Sequence, residues 1–129
     1  MSYTMDVEAK GNYLHITVRG INSPQNVRNY LAEVRQKCID HRTSAVLIEE
    51  SLSGPGLPSL DIFNIVRDAS KNIHPVIRRI AYVDTNTEHS LRELKFGETV
   101  AVNRGVNVKV FSTVAEGEKW LKGLAEFTG

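Results

Sequence analysis

Hydrophobic and polar positions alternate at the start of the chain. Met5 and Val7 alternate with Asp6 and Glu8, and Leu14, Ile16 and Val18 alternate with His15, Thr17 and Arg19. A period of two is the mark of a half-buried strand. Lys10-Gly11-Asn12 between the two runs is a turn signal, so the opening element is a β-hairpin with one apolar and one wet face. The period then changes. Val27, Tyr30, Leu31, Val34, Cys38 and Ile39 recur at helical spacing, with Arg28, Glu33, Arg35, Gln36 and Lys37 on the other side. Ser23 fits the N-cap of this helix and Pro24 its first residue.

Ala45 to Ile48 is a short run without alternation, the pattern of a central parallel strand covered on both faces. Glu49 and Glu50 follow, and a loop carrying Gly54, Pro55, Gly56 and Pro58 is expected over positions 50 to 58, with Leu52 and Leu57 facing water. The spacing of Ile62, Phe63, Ile65, Val66 and Ala69 predicts a second helix, with Ser59 its N-cap and Asp61 in its first turn. Pro75 ends it by about Ile73. Ile80 to Val83 is the next strand and Asp84 its end. A third helix, capped from Thr85, Asn86 or Thr87, is expected to be interrupted at Gly97 and to stop at Gly105. Val106, Val108 and Val110 alternate with Asn107 and Lys109, as in a half-exposed edge strand. Thr113-Val114-Ala115-Glu116 matches a capping box and opens a last helix, in which Trp120, Leu121 and Leu124 should meet the core.

The order is β-β-α-β-α-β-α-β-α: an α/β fold with a five-stranded mixed sheet, its last four strands parallel and in chain order. Residues 1–129 are expected to form a single domain. This order, together with Arg78-Arg79-Ile80-Ala81-Tyr82-Val83, the ending Val108-Lys109-Val110-Phe111 and the helix bearing Glu118-Lys119-Trp120-Leu121, resembles the SpoIIAA-like fold. STAS domains, the sulfate transporter and anti-sigma factor antagonist family, share that fold, and the ending is similar to that of small bacterial SpoIIAA-like proteins of unassigned function. In regulatory STAS domains a serine at the start of the second helix is phosphorylated, in an Asp-Ser-Ser-Gly-like context. The matching place here reads Gly56-Leu57-Pro58-Ser59-Leu60-Asp61, so the resemblance implies Ser59 as the position, with neither the preceding Asp nor the following Gly. Other relatives of the fold carry lipids.

Candidate chemistry is sparse. Glu49, Glu50 and Asp84 are expected to gather at the C-terminal edge of the sheet, where open α/β sheets place their sites. Paired carboxylates there could do acid–base work if one pKa were raised, although solvated strand ends are the commoner case. The histidines at positions 15, 41, 74 and 89 lack metal-ligand spacing, and His89 reads as an exposed residue on a helix's first turn. Ser51, Ser53 and Ser59 have no Gly-x-Ser-x-Gly elbow, and Gly54-Pro55-Gly56 is no phosphate loop. Neither a catalytic set, a metal site nor a cofactor is expected. Cys38 lies in an apolar stripe and reads as a small buried hydrophobe.

Composition narrows the partners. The net charge of +1 gives no pull toward nucleic acid, and no apolar run reaches the length of a membrane span. With one cysteine and no leader-like N-terminus, a reducing cytoplasm is the expected compartment. Three functions compete: a non-catalytic regulatory or protein-interaction module of the STAS type, a carrier of a small apolar ligand, and, last, an enzyme using the sheet-edge carboxylates. Leu52, Leu57, Leu60, Phe63 and Phe96 are the expected lining of a ligand or partner site. A homodimer is left open.

Overall fold

The computed structural model describes residues 2–128, with side chains through residue 123. Strands β1 (Tyr3–Ala9) and β2 (Leu14–Ile21) form the hairpin, helix α1 (Pro24–Asp40) follows, and β3 (Ala45–Ser53) occupies the centre of the sheet. Helix α2 (Ser59–Ile73), strand β4 (Arg79–Asp84), helix α3 (Leu91–Val102), strand β5 (Val108–Phe111) and helix α4 (Val114–Thr128) complete the chain. The five strands stand in chain order, β1 antiparallel to β2 and the other neighbours parallel.

Because every crossover steps the same way across the sheet, right-handed connections bring α1, α2 and α3 to one face. These helices pack side by side there, and α4 covers β3, β4 and β5 on the other. The alternation of side chains along β3 divides the core accordingly. Val46, Ile48 and Leu52 pack with Tyr30, Val34 and Cys38 of α1 and Ile73 of α2. Ala45 and Leu47 pack with Leu121 of α4 and with Ala81 and Tyr13.

The expected caps hold at two helices and shift at two. Ser23 accepts a hydrogen bond from the Asn26 N–H at 3.1 Å, with Pro24 beside it in the first turn. Thr113 accepts one from the Glu116 N–H at 3.2 Å. At α2, however, the cap residue is Pro58, and Ser59 is the first helical residue, with no side-chain cap bond. Pro58 takes the extended backbone that a cap needs and its carbonyl accepts from the Ile62 N–H, so the fixed proline φ displaces the serine by one place. At α3 the cap is Ser90, which accepts from the Glu93 N–H at 3.1 Å, and not one of residues 85–87.

Two further expectations are corrected. Gly97 does not interrupt α3, which runs unbroken to Val102. A Cβ on Gly97 would stand 3.5 Å from Ile62 Cγ2, an ordinary contact, so the position lies in the α2–α3 seam without being closed to a small side chain. The central strand does not end at its carboxylates either. Its pairing with β2 continues to Ile21–Ser53, which keeps the backbone bonded through Ser53 and buries Leu52 at 1% exposure. Leu52 is therefore a core residue and not a water-facing loop residue. Trp120 and Leu121 both meet the core as expected, Leu121 fully buried and Trp120 half-buried on Phe111 with ring centroids 5.6 Å apart. The side chain of Leu124 lies outside the described residues.

Candidate functional site

Between the layer of α1, α2 and α3 and the sheet lies a cleft of about 170 Å³. Its walls are aliphatic, with Ile48 from β3, Ile65, Val66 and Ala69 from α2, and Leu94 and Ala101 from α3. Its polar groups cluster at the C-terminal ends of β3 and β4 and the turns that follow them, with Glu50, Tyr82, Asp84 and His89 beside Tyr30 of α1, while Asn22, Ser70 of α2 and Glu93 and Glu98 of α3 stand along its sides.

Strand geometry decides which carboxylates reach it. Glu50 and Asp84 are partners in the parallel register of β3 and β4, on the same face as Ile48 and Tyr82. Glu49 must point the opposite way. It meets His15 across β2, Oε1 to Nε2 at 2.8 Å, on the α4 side of the sheet. The expected trio is thus a pair, and Glu49 stands apart from it. His15 is likewise half-buried against that carboxylate rather than freely solvated.

The pair is held by groups that the sequence did not single out. The Tyr30 hydroxyl donates to Glu50 Oε2 in the core, with Tyr30 1% and Glu50 4% exposed. Burial pushes the Glu50 carboxyl up to about 7, aided by the charge of Asp84 and opposed by Tyr30, Tyr82 and His89. Burial and the neighbouring Glu50 also hold both phenols well above the ordinary tyrosine value.

His89 is not exposed: its side chain is 3% accessible and that of Asp84 1%. Nδ1 donates to Asp84 Oδ2 at 2.6 Å, and Nε2 faces the Gly54 carbonyl at 2.9 Å. Burial alone would lower its pKa, but the hydrogen bond and charge of Asp84, the Gly54 carbonyl and Glu50 outweigh it and raise it. The Asn22 amide also stands 3.3 Å from Nε2, but it donates at 3.0 Å to the Pro55 carbonyl, so the nearer groups at the two ring nitrogens are acceptors and the imidazolium satisfies both. Asn86 fixes the same corner. Its side-chain amide donates to the carbonyls of Leu52 at 2.8 Å and Gly54 at 3.1 Å, and its Oδ1 accepts from the Glu88 N–H at 2.8 Å. The turn after β4 is thereby tied to the end of β3.

Glu50, Asp84 and His89 each offer a metal-ligand atom, all within 4.8 Å of one another. The atoms are already committed, however: Asp84 to His89, His89 to Gly54 and Glu50 to Tyr30. A cation would have to break these bonds before it could use the three donors, so the set as it stands is arranged as a hydrogen-bonded network.

Of the five apolar residues expected to line a site, Leu57 does line the cleft. Leu52 is in the core, Leu60 is 70% and Phe96 38% exposed, and Phe63 lies outside the cleft lining. Phe63 stands under the guanidinium groups of Arg67 and Arg104, at 5.6 and 5.2 Å from its centroid. Ser59 is exposed at the start of α2.

No protein-family model matches the sequence, and no curated protein matches it. A solved structure does resemble it. An uncharacterized protein of the DUF3478 family from Shewanella loihica, described as having a SpoIIAA-like fold, superposes with a TM-score of 0.52 at 14% identity, covering 93% of this chain and 94% of the other. The fold is SpoIIAA-like. Near-complete coverage of both chains means that the hairpin, the parallel strands and the closing helix all take part in the likeness, as the sequence resemblance implied. Among the described residues no helix is long and apolar enough to cross a membrane.

Proposed function

We propose that this SpoIIAA-like protein is a non-catalytic binding module whose working site is the cleft, and that the cleft holds a small, largely apolar ligand. The observation that carries this reading is the combination of aliphatic walls with one buried polar end, the usual make-up of a small-molecule site. The size sets the scale of the ligand: an engineered apolar cavity of about 150 Å³ takes benzene, so a single ring or a short chain suits this one. The carboxylate chemistry weighed on the sequence reduces to Glu50 alone, because Glu49 faces the other side and Asp84 is engaged by His89. His89 is held at both nitrogens, Nδ1 by Asp84 and Nε2 between the Gly54 carbonyl and the Asn22 amide, so neither is open to a substrate proton.

Native mass spectrometry of protein purified from its own host tests the reading. A retained small molecule is expected, and Ala69→Leu, which fills the cleft from α2, should release it. Protein that carries no small molecule and fails to bind benzyl alcohol in solution would overturn it.

A protein-interaction module is the second reading. It is supported by the fold, by the exposed side chains of Leu60 and Phe96, and by the exposure of Ser59 at the positive end of α2, where the helix itself would tolerate a phosphate. An intact mass showing phosphate on Ser59 in host-purified protein would favour this reading over the first.

A further inference from the structure

Apart from His89, the charged residues of the cleft are all carboxylates. Glu50, Asp84, Glu93 and Glu98 line it, and among the described residues no lysine or arginine does. The single basic group, His89, is spent on Asp84 at 2.6 Å. What remains for a ligand is Glu50, one of whose oxygens takes the Tyr30 hydroxyl, with Glu93 and Glu98 further along α3. Glu98 is partly committed, since it accepts the Val110 N–H at 2.6 Å and lies 3.6 Å from Lys95.

We infer that the ligand of this cleft is an apolar amine, a ring or short alkyl chain bearing one ammonium group, which Glu50 receives at the polar end, and that carboxylate-headed molecules are rejected. The inference rests on the reading of the cleft as a small-molecule site and adds the head group. Two physical points carry it. An ammonium is a hydrogen-bond donor with no acceptor, the complement of a carboxylate wall. A carboxylate ligand would instead bring a further negative charge beside Glu50 and Asp84 in a low-dielectric cavity, where repulsion is poorly screened. The ammonium also removes a strain of the free protein. Glu50 is buried against phenols, and the one nearby cation, His89, is hydrogen-bonded to Asp84 instead, so burial pushes the Glu50 carboxyl up to about 7. A bound ammonium would supply the missing counter-charge.

Three ligands of one size separate the possibilities: benzylamine, benzyl alcohol and benzoate, each titrated into the full chain at about pH 8 and followed by amide chemical shifts of Ile48, Ile65 and Ala69. The expected order is benzylamine, then benzyl alcohol, then benzoate. Benzylamine should bind more tightly than benzoate by on the order of tenfold or more, the factor supplied by one charge-assisted hydrogen bond. Glu50→Gln should bring the amine-to-alcohol ratio close to one. If that variant fails to fold, the wild-type ratio serves. It should fall as pH is lowered through about 7, because the proton taken by Glu50 removes the charge. Tyr30 on α1, Tyr82 and Asp84 on β4, His89 before α3, and Glu93 and Glu98 on α3 are the other titratable groups facing this space. Benzoate binding as tightly as benzylamine, or a ratio indifferent both to pH and to Glu50→Gln, would overturn the amine while leaving the cleft a binding site. Shifts with none of the three ligands would instead remove the reading on which it rests.

Discussion

Glu50 and Asp84 stand opposite each other in the parallel register of the two central strands, on the face that the three crossover helices cover. Two carboxylates brought so close beneath a helical layer need different solutions, and each has one. Asp84 is matched by His89, whereas Glu50 is matched by phenols and the proton it tends to keep.

The first prediction follows from that proton. The folded-state pKa of Glu50, about 7, lies above its ordinary value of 4.5. The stability that comes from burying a neutral carboxyl is therefore complete below about pH 4.5 and is lost as pH rises through about 7. Glu50→Gln keeps an acceptor for Tyr30 and never ionises. Relative to the wild type, the variant should gain stability between about pH 5 and pH 8, by up to about 3 kcal/mol. Urea unfolding at both pH values checks this, and a constant difference between the two proteins would show that Glu50 is ionised throughout.

The Asp84–His89 pair has the larger structural role. Removing the imidazole in His89→Ala leaves a buried carboxylate without its charged partner, while the Gly54 carbonyl keeps only the Asn86 amide, with an expected loss of about 3 kcal/mol near pH 6. The His89 pKa is raised in the folded state, so its contribution is fully present below the unfolded value of 6.5 and declines as pH rises through the folded one. The penalty of the variant should shrink accordingly in alkaline solution. Denaturant midpoints that fall equally at every pH would contradict the charged imidazolium.

Much of the fold was legible because it depends on periodicity. The hairpin, the cap at Ser23 and the lone central strand follow from spacing within a few residues of each other. The site was only half legible. The parity of Glu50 with Val46 and Ile48 already places it on the helix-covered face and sends Glu49 to the other, but two charges in succession look like the end of a strand. Tyr30 was hidden in its helical stripe, where it reads as an apolar residue. Its hydroxyl was the available signal, since a buried tyrosine needs a polar partner. His89 could not be found this way. Its burial depends on Asn86 folding the turn back onto the end of β3, a contact across more than thirty residues that no local pattern records.

The two serine positions at helix starts should respond differently to alanine. Ser23 makes its cap bond to Asn26, so Ser23→Ala should cost about 1 kcal/mol. Ser59 makes no cap bond and is exposed, so Ser59→Ala should stay within about 0.5 kcal/mol of the wild type. Thermal midpoints of the two variants, measured side by side, would refute the assignment of Pro58 as the cap if they fell by the same amount.

On the α4 face the order of importance is also set by burial. Leu121 is 2% exposed between β3 and β4, and Leu121→Ala should cost about 3 kcal/mol. Trp120 is half-buried on Phe111, and Trp120→Ala should cost less, about 1–2 kcal/mol. Chemical denaturation of both variants tests the ranking, and a Trp120 loss exceeding that of Leu121 would reverse it.

The strand order has a consequence for how the molecule is made. Each strand finds its neighbour in the strand synthesised just before it, so no pairing waits for sequence still to come. The sheet can grow by one edge at a time as the chain leaves the ribosome, each new helix closing over the edge just added. Loop-closure entropy is kept low by this short-range pairing, and folding should be fast for a sheet with three parallel pairs. During synthesis one open edge is always β1 and the other is the newest strand, until short β5 becomes the last.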